Sequence, residues 1–423
     1  MEYQARLVDG LLDELQPMLP ALAIEGAKAV GKTATARRRA GSVFSLDQAA
    51  ARGMVEADPE VVLTGQPPTL VDEWQLVPNV WDTVRRAVDS GAEPGRFLLA
   101  GSAALPPGTR VHSGAGRIVR VMMRPMTVPE RGLDSPSVSF AELLAGGAAK
   151  VAGSTKISTA DYADEALASG FPGIRGAVPR ARRALLDGYI DHIVERDIPQ
   201  AEGSVRNPVA LRAWLAAYGA ATATAASDAT ILAAASAGGS DSPSREAARN
   251  YRDLLQRVWV VDPLPAWVAS FAHIKRLARR PKHHLVDPAL AARLVGSTRE
   301  GLLRGQGEPA FPRDGTFMAA LFESLAVQTL RVLAELNESR AYHLRTADGR
   351  QEVDVIVQRP DLRVLAIEVK LSTAVRPADV AHLNWLEAQI PGRVAAKVVV
   401  NTGERAYRRP DGVAVVPLAL LGP

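Results

Sequence analysis

The stretch Ala21-Leu22-Ala23-Ile24-Glu25-Gly26-Ala27-Lys28-Ala29-Val30-Gly31-Lys32-Thr33 decides how the first third of the chain folds. An apolar run enters a loop bounded by Gly26 and Gly31, and Lys32 and Thr33 open a segment rich in helix formers. The spacing is G-x-x-x-x-G-K-T, in which small residues let backbone N–H groups wrap a phosphate. The helix that follows adds the positive end of its dipole. Gly26, Ala27, Lys28, Ala29, Val30, Gly31, Lys32 and Thr33 are therefore expected to bind a nucleotide. Lys32 would reach the outer phosphates and Thr33 would hold a magnesium ion. Four fixed positions also arise by chance; their place between a strand and a helix favours the functional reading.

Upstream, Leu7, Leu11, Leu12 and Leu15 recur at helical spacing, which predicts a helix before the loop strand. Downstream, Ser42–Leu46 reads as a short strand and a helix starts from Asp47. Pro67-Pro68-Thr69-Leu70-Val71-Asp72-Glu73 is then an apolar strand ending in two carboxylates. Asp72 suits the magnesium shell and Glu73 suits polarising an attacking water. An isolated D-E pair is more often a solvated turn, but downstream of a phosphate loop the chemical reading is the better one. A helix over Val77–Ser90 and a buried strand over Arg96–Ser102 follow, placing Ser102 where a polar group senses the γ-phosphate. Arg117, after a Gly/Pro-rich loop, is a candidate for stabilising transferring phosphate charge, and equally an exposed arginine.

At 423 residues the chain exceeds one ordinary core, so two or three domains are expected. Zero cysteines exclude disulfides, thiolate metal sites and cysteine nucleophiles, and the seven histidines show no zinc spacing. No apolar run was expected to approach the ~20 residues of a membrane span. The polar Met1–Gly10 does not read as a signal peptide. Together these predict a cytoplasmic protein without a membrane partner. The net charge of +4 does not by itself imply nucleic acid. Basic clusters at Arg37–Arg39, Arg180–Arg183 and Lys275–Lys282 are most simply solvated faces.

In order and spacing, Gly26–Thr33, Leu70–Pro78 with its D-E-x-Q-x-x-P signature, Leu99–Ser102 and Ala115-Gly116-Arg117 resemble a family of prokaryotic AAA-like P-loop ATPases. The C-terminal half of that family is a conserved domain of unknown function. Tyr3 and Arg6 match its Y-x-x-R opening, which the resemblance places near the base or ribose. It implies ATP and Mg2+ as cofactors and a sheet whose third strand is inserted between the two motif strands. The chain departs from the family pattern at Ala100, Lys28 and Ala34, where threonine, arginine and threonine are usual. None of the three is needed for hydrolysis.

Gly146–Thr159 reads as a linker, rich in Gly, Ala, Ser and Thr. Ala168–Pro172 and Tyr189–Ile198 again resemble the family's C-terminal half; their own pattern is a turn and an amphipathic helix. Leu211–Gly219, Asp228–Ala237 and Ser244–Gln256 are expected to be three helices, and Trp259–Leu264 a strand and turn, the order of a winged helix-turn-helix. Arg245, Arg249, Arg252 and Gln256 share one face of the third helix, which suits either DNA phosphates or solvent.

The last part predicts a helix over Thr316–Leu336 and strands at Tyr342–Arg345, Glu352–Gln358 and Arg363–Leu371. A helix at Pro377–Ala388 and strands at Ala396–Asn401 and Val413–Pro417 follow. This αβββαβ order is the core of restriction-endonuclease-like domains. Asp354, Glu368 and Lys370, with Glu323 from the helix, resemble the PD-(D/E)-x-K nuclease motif without its leading P-D. The expectation is a second magnesium site on Asp354 and Glu368, with Lys370 positioning water. A charged stripe that protects a sheet edge is the competing reading.

The whole chain thus reads as α/β, with an AAA-like ATPase domain over 1–133, a helical and winged-helix-like region over 134–310 and a nuclease-like domain over 311–423. The leading function is a magnesium-dependent ATPase switch or motor coupled to the nuclease-like module. Two alternatives stand beside it: a nucleotide-gated module that binds DNA or a protein with little hydrolysis, and an ATP-regulated nuclease. Arginines near the loop suggest a homo-oligomer.

Overall fold

Strands buried on both faces are apolar throughout rather than alternating, and the three inner strands of the first sheet are of this kind. The computed structural model describes residues 3–101, 112–147, 149–198, 207–236, 243–268, 277–305 and 316–423. Strands β1 (Ala21–Glu25), β2 (Ser42–Ser45), β3 (Thr69–Asp72), β4 (Phe97–Gly101) and β5 (Val119–Met122) form an all-parallel sheet in the order β2-β3-β4-β1-β5. Every residue of β1, β3 and β4 is buried. Leu22, Ile24, Leu70 and Leu98 meet Val8, Leu12 and Ala36 of the helices Leu7–Leu15 and Lys32–Arg37 on one face. Ala23, Val71 and Leu99 meet Val55, Trp81 and Val84 of the helices Ala49–Ala57 and Asn79–Asp89 on the other. The strand inserted between the motif strands β1 and β3 is the fourth in chain order, not the third. It sets Glu25 beside Gly101 and Asp72 beside Ala100 at the C-terminal ends of the parallel strands.

The helices Pro208–Ala220, Asp228–Ser236 and Arg245–Arg257 lie close to their expected bounds. Bridges Val261–Leu285 and Leu264–Lys282 then form an antiparallel ribbon. The expected linker Gly146–Thr159 is not featureless, since β7 (Gly153–Ser154) within it joins the C-terminal sheet; ahead of it, β6 (Val138–Ser139) pairs with β14 (Leu421–Gly422). Two-residue strands carry no periodic signal, so only their long-range partners reveal them.

The C-terminal sheet adds β8 (Arg340–Arg345), β9 (Glu352–Gln358), β10 (Val364–Lys370), β11 (Val394–Asn401), β12 (Arg405–Arg408) and β13 (Ala414–Pro417), in the order β7-β12-β13-β11-β10-β9-β8. The pairs β8/β9 and β9/β10 are antiparallel, whereas β10/β11 and β11/β13 are parallel. One face packs on the helix Phe317–Leu336 and the other on the helix Ala381–Gln389. Contrary to expectation, Phe317–Leu336 is long and apolar enough to cross a membrane, but most of it is buried inside the protein as a core helix. Its residues pack from Tyr162 to Val357, and the same apolar cluster extends from Val8 through Trp214 to Leu421. Divisions near 133 and 310 therefore separate stretches of chain without separating the core.

The turn Ser169-Gly170-Phe171-Pro172 shows how the parts are tied together. Asp287, fully buried, accepts hydrogen bonds from Ser169 Oγ (3.0 Å), Gly170 N–H (2.6 Å) and Ala289 N–H (2.8 Å). Gly170 C=O accepts from Met126 N–H at 2.7 Å, and a Cβ at Gly170 would press on the Met126 backbone. The Asp287→Ala variant orphans three donors, two of them backbone, and is expected to lose about 3 kcal/mol of stability. Urea unfolding checks this; a loss below ~1 kcal/mol would refute the role.

Candidate nucleotide site and a second charged centre

The phosphate loop is shaped by backbone conformations and by what supports it from behind. Gly26 and Gly31 adopt φ of +151° and +106°, and Ala29 sits at +64°. Gly26 also needs the absence of a side chain, because a Cβ there would collide with the Met123 carbonyl just past β5. Behind the loop, the buried Arg6 donates to Val30 C=O (2.8 Å), to Arg124 C=O (2.7 Å) and to Glu130 (3.0 Å). Arg6 thus supports the loop from behind. Tyr3 bonds Asp9 and Thr35, and Arg38 stacks on its ring.

Lys32 folds back over the loop and donates to Gly26 C=O (2.9 Å) and Ala27 C=O (2.7 Å). Burial pushes its ammonium down to about 8, against the pull of Glu73 and Asp72. Thr33 Oγ1 donates to Asp72 Oδ1 at 2.9 Å, and burial raises the Asp72 carboxyl above its ordinary range. Glu73 turns away from β3 at φ +56°, where the Gln75 side-chain amide donates to its Oε2. Gln75 in turn lies over Gly101, where a Cβ would collide with its amide oxygen. This gives the D-E-x-Q spacing a physical function: Gln75 fixes the carboxylate that sequence alone singled out.

The other expected residues are distributed less evenly. Lys28 Nζ reaches Asp197 at 2.6 Å, a contact from the helical region that no local pattern announces. Arg117 pairs with Asp89 at 2.8 Å and precedes β5. It therefore lies before the start of β5, at the end of the parallel strands opposite to the loop. Ser102 lies outside the described residues.

The residues fit a magnesium nucleotide. Among the described residues no group of three or more His, Cys, Asp or Glu forms a metal cage. A magnesium ion shared with a triphosphate needs only a hydroxyl and a carboxylate from the protein, and Thr33 and Asp72 already face each other.

The structure also brings the four C-terminal residues together, around a cation that the sequence did not nominate. Lys282 Nζ lies 2.8 Å from Glu323 Oε1, 2.9 Å from Glu352 Oε1 and 2.9 Å from Asp354 Oδ1. Asp354 Oδ2 accepts from Val369 N–H at 2.9 Å, and Lys370 Nζ bonds Glu368 Oε2 at 2.7 Å. Burial drives Glu323 up to about 7, and burial with the neighbouring Asp354 lifts Glu368 well above the carboxylate range. The expected magnesium site on Asp354 and Glu368 does not fit this arrangement, because an ammonium already holds the Asp354 oxygen that an ion would take. Lys282 was read as part of a solvated basic cluster, whereas its side chain is 2% exposed.

Comparison with known proteins finds three family models along the chain. Residues 19–131 match the family model of an AAA domain, residues 159–301 that of a domain of unknown function (DUF8612), and residues 318–421 that of another (DUF4143). The chain thus carries a P-loop AAA domain at its N-terminal end and a DUF4143 domain at its C-terminal end. It is 28% identical over 366 residues to an uncharacterized protein of Mycobacterium bovis and to one of Mycobacterium tuberculosis, covering 85% of this chain and 71% of each. A Walker-type ATPase of Pyrococcus abyssi aligns with a TM-score of 0.42 and 15% identity, over 69% of this chain and 96% of that one.

A lysine held near 8 in the free protein gains a proton when a polyphosphate binds above that pH. Nucleotide affinity is therefore expected to be level below pH 7 and to fall by up to about tenfold per unit above pH 8. Calorimetry in buffers of different ionisation enthalpy would show proton uptake at high pH. Affinity independent of pH across this range would contradict the assignment.

Proposed function

We propose that the chain is a magnesium-dependent ATPase that acts as a switch for its C-terminal module. The observation that carries this is the convergence of Lys32, Thr33, Asp72 and a Gln75-held Glu73 at the C-terminal ends of the first sheet's strands. Lys32 leaves the Gly26 and Ala27 carbonyls for the outer phosphates, and Thr33 and Asp72 hold the ion. Magnesium, when bound, neutralises charge on the phosphates. Glu73 orients and polarises water, and the Gln75 hydrogen bond fixes its carboxylate before substrate arrives.

Coupling to the rest of the chain is supported by Arg124, two residues past β5. Its guanidinium bonds Asp262 beside the ribbon (2.8 Å) and Glu335 on the long helix (2.7 Å), while its carbonyl is bonded by Arg6. The αβββαβ order around the second charged centre supports a restriction-endonuclease-like reading of the module.

A DNA-binding output is a second reading, favoured by the ribbon that follows the three helices and by Arg245 and Arg249, which are exposed on the third. Arg252 is less available, since it pairs with Asp228 at 2.7 Å.

Two measurements test these readings. Glu73→Gln is expected to cut ATP turnover by about 10²–10⁴-fold with ATP binding retained, and Lys32→Ala to lose binding itself; undiminished phosphate release in either sinks the assignment. For the second reading, R245A/R249A is expected to weaken duplex DNA binding and lower its salt dependence by roughly two ion equivalents. Salt-insensitive or unchanged binding would refute it.

A further inference from the structure

A metal-dependent phosphodiesterase centre needs a carboxylate oxygen open to a divalent ion and a lysine free to act on water. Asp354 itself meets neither need, although Glu368 Oε1 beside it is buried with no hydrogen-bond partner among the described residues. Both Asp354 oxygens are engaged, Oδ1 with Lys282 and Oδ2 with Val369 N–H. Lys370 is turned onto Glu368, with Asp354 Oδ2 a further 3.9 Å contact.

Lys282 is not a surface lysine that wandered in. Its own backbone N–H donates to Leu264 C=O and its C=O accepts from Leu264 N–H, both at 2.9 Å, so the ribbon fixes its Cα. The side chain then crosses into the sheet, where Glu323 and Asp354 accept hydrogen bonds from its ammonium at 2.8 and 2.9 Å and Glu352 pairs with it at 2.9 Å. A divalent ion on Asp354 Oδ1 would sit within a few ångströms of this buried ammonium, where two like charges repel strongly in a poorly screened interior.

We infer that the Lys282 ammonium holds the place of the divalent ion, making the nuclease-like centre a permanent ionic cross-link between ribbon and sheet that does not hydrolyse phosphodiesters. The module transmits position through Lys282. The inference rests on the restriction-endonuclease-like reading of this module and not on the ATPase reading, because it concerns only residues of the ribbon, the long helix, β9 and β10.

The test uses the full chain in an Asp72→Asn background, which removes the nucleotide-site carboxylate from the metal count. Free manganese is followed by electron paramagnetic resonance. The D72N chain is expected to take up no ion. Adding K282A opens a single manganese site, which D354N closes again, and manganese raises the melting temperature of the K282A chain. In parallel, the wild-type chain incubated with plasmid and single-stranded DNA, in magnesium or manganese, with and without ATP, is expected to cleave no faster than D354N. Manganese uptake by D72N that depends on Asp354, DNA cleavage that depends on Asp354, or a folded K282A that gains no ion would each overturn the inference. If K282A does not fold, K282M with E323Q removes one charge of each sign and is read by the same criteria.

Discussion

The structure depends on one buried guanidinium. Arg124 is 5% exposed and receives Asp262 from one side and Glu335 from the other. Arg331 closes the network by bonding Asp262 as well, at 2.9 Å. Burial raises the Asp262 carboxyl, but Arg124 and Arg331 outweigh it and bring the group down to about 2. Removing one partner of such a network strands an uncompensated charge, at a cost of about 3–5 kcal/mol. That is a large part of the stability of an ordinary domain. The three parts of the chain are therefore one mechanical object, held at a point that lies two residues past β5, next to the Met123 carbonyl against which Gly26 rests.

That position explains why the loop has so many outside supports. Gly26 rests on Met123, Val30 hangs from Arg6, and Arg6 also holds the carbonyl of Arg124. A glycine-rich loop has little conformational preference of its own. Its shape is imposed by buried donors that have nowhere else to bond. The D-E-x-Q spacing works in the same way: Gln75 is held against Gly101 and holds Glu73 in turn.

What the sequence revealed and what it concealed separate along a physical line. The phosphate loop, Asp72-Glu73 and the αβββαβ order are legible because each is local: a loop fits a phosphate, and a strand end projects a carboxylate. Asp354, Glu368 and Lys370 are nearly local, since strand alternation and one hairpin bring them together. Lys282 was illegible. It sits in a run of basic residues that looks solvated, and only the ribbon pairing Leu264 with Lys282 turns it inward. Asp197 on Lys28 and Glu130 on Arg6 were hidden for the same reason, being 169 and 124 residues from their partners. The two-residue strands β6 and β7 were missed because they have no pattern, only partners.

The contacts on the loop are unequal, and the difference indicates which of them a nucleotide can alter. A ligand shifts a conformational equilibrium only by its differential affinity for the two states. Lys28 is 45% exposed, so its pair with Asp197 is screened and its net worth is of the order of 1 kcal/mol or less. A triphosphate arriving beside Lys28 offers more charge than one carboxylate and readily outcompetes it. The Arg6 bonds are fully buried, and breaking them would orphan two carbonyls and Glu130 together. Nucleotide binding at this loop is therefore expected to exchange the Lys28 contact and keep the Arg6 one. The helical segment Ile193–Asp197 would be released while Arg124, held through its carbonyl, stays with the loop. Any movement then passes along Arg124 into the ribbon and the long helix, and Lys282 ties that ribbon to the C-terminal sheet.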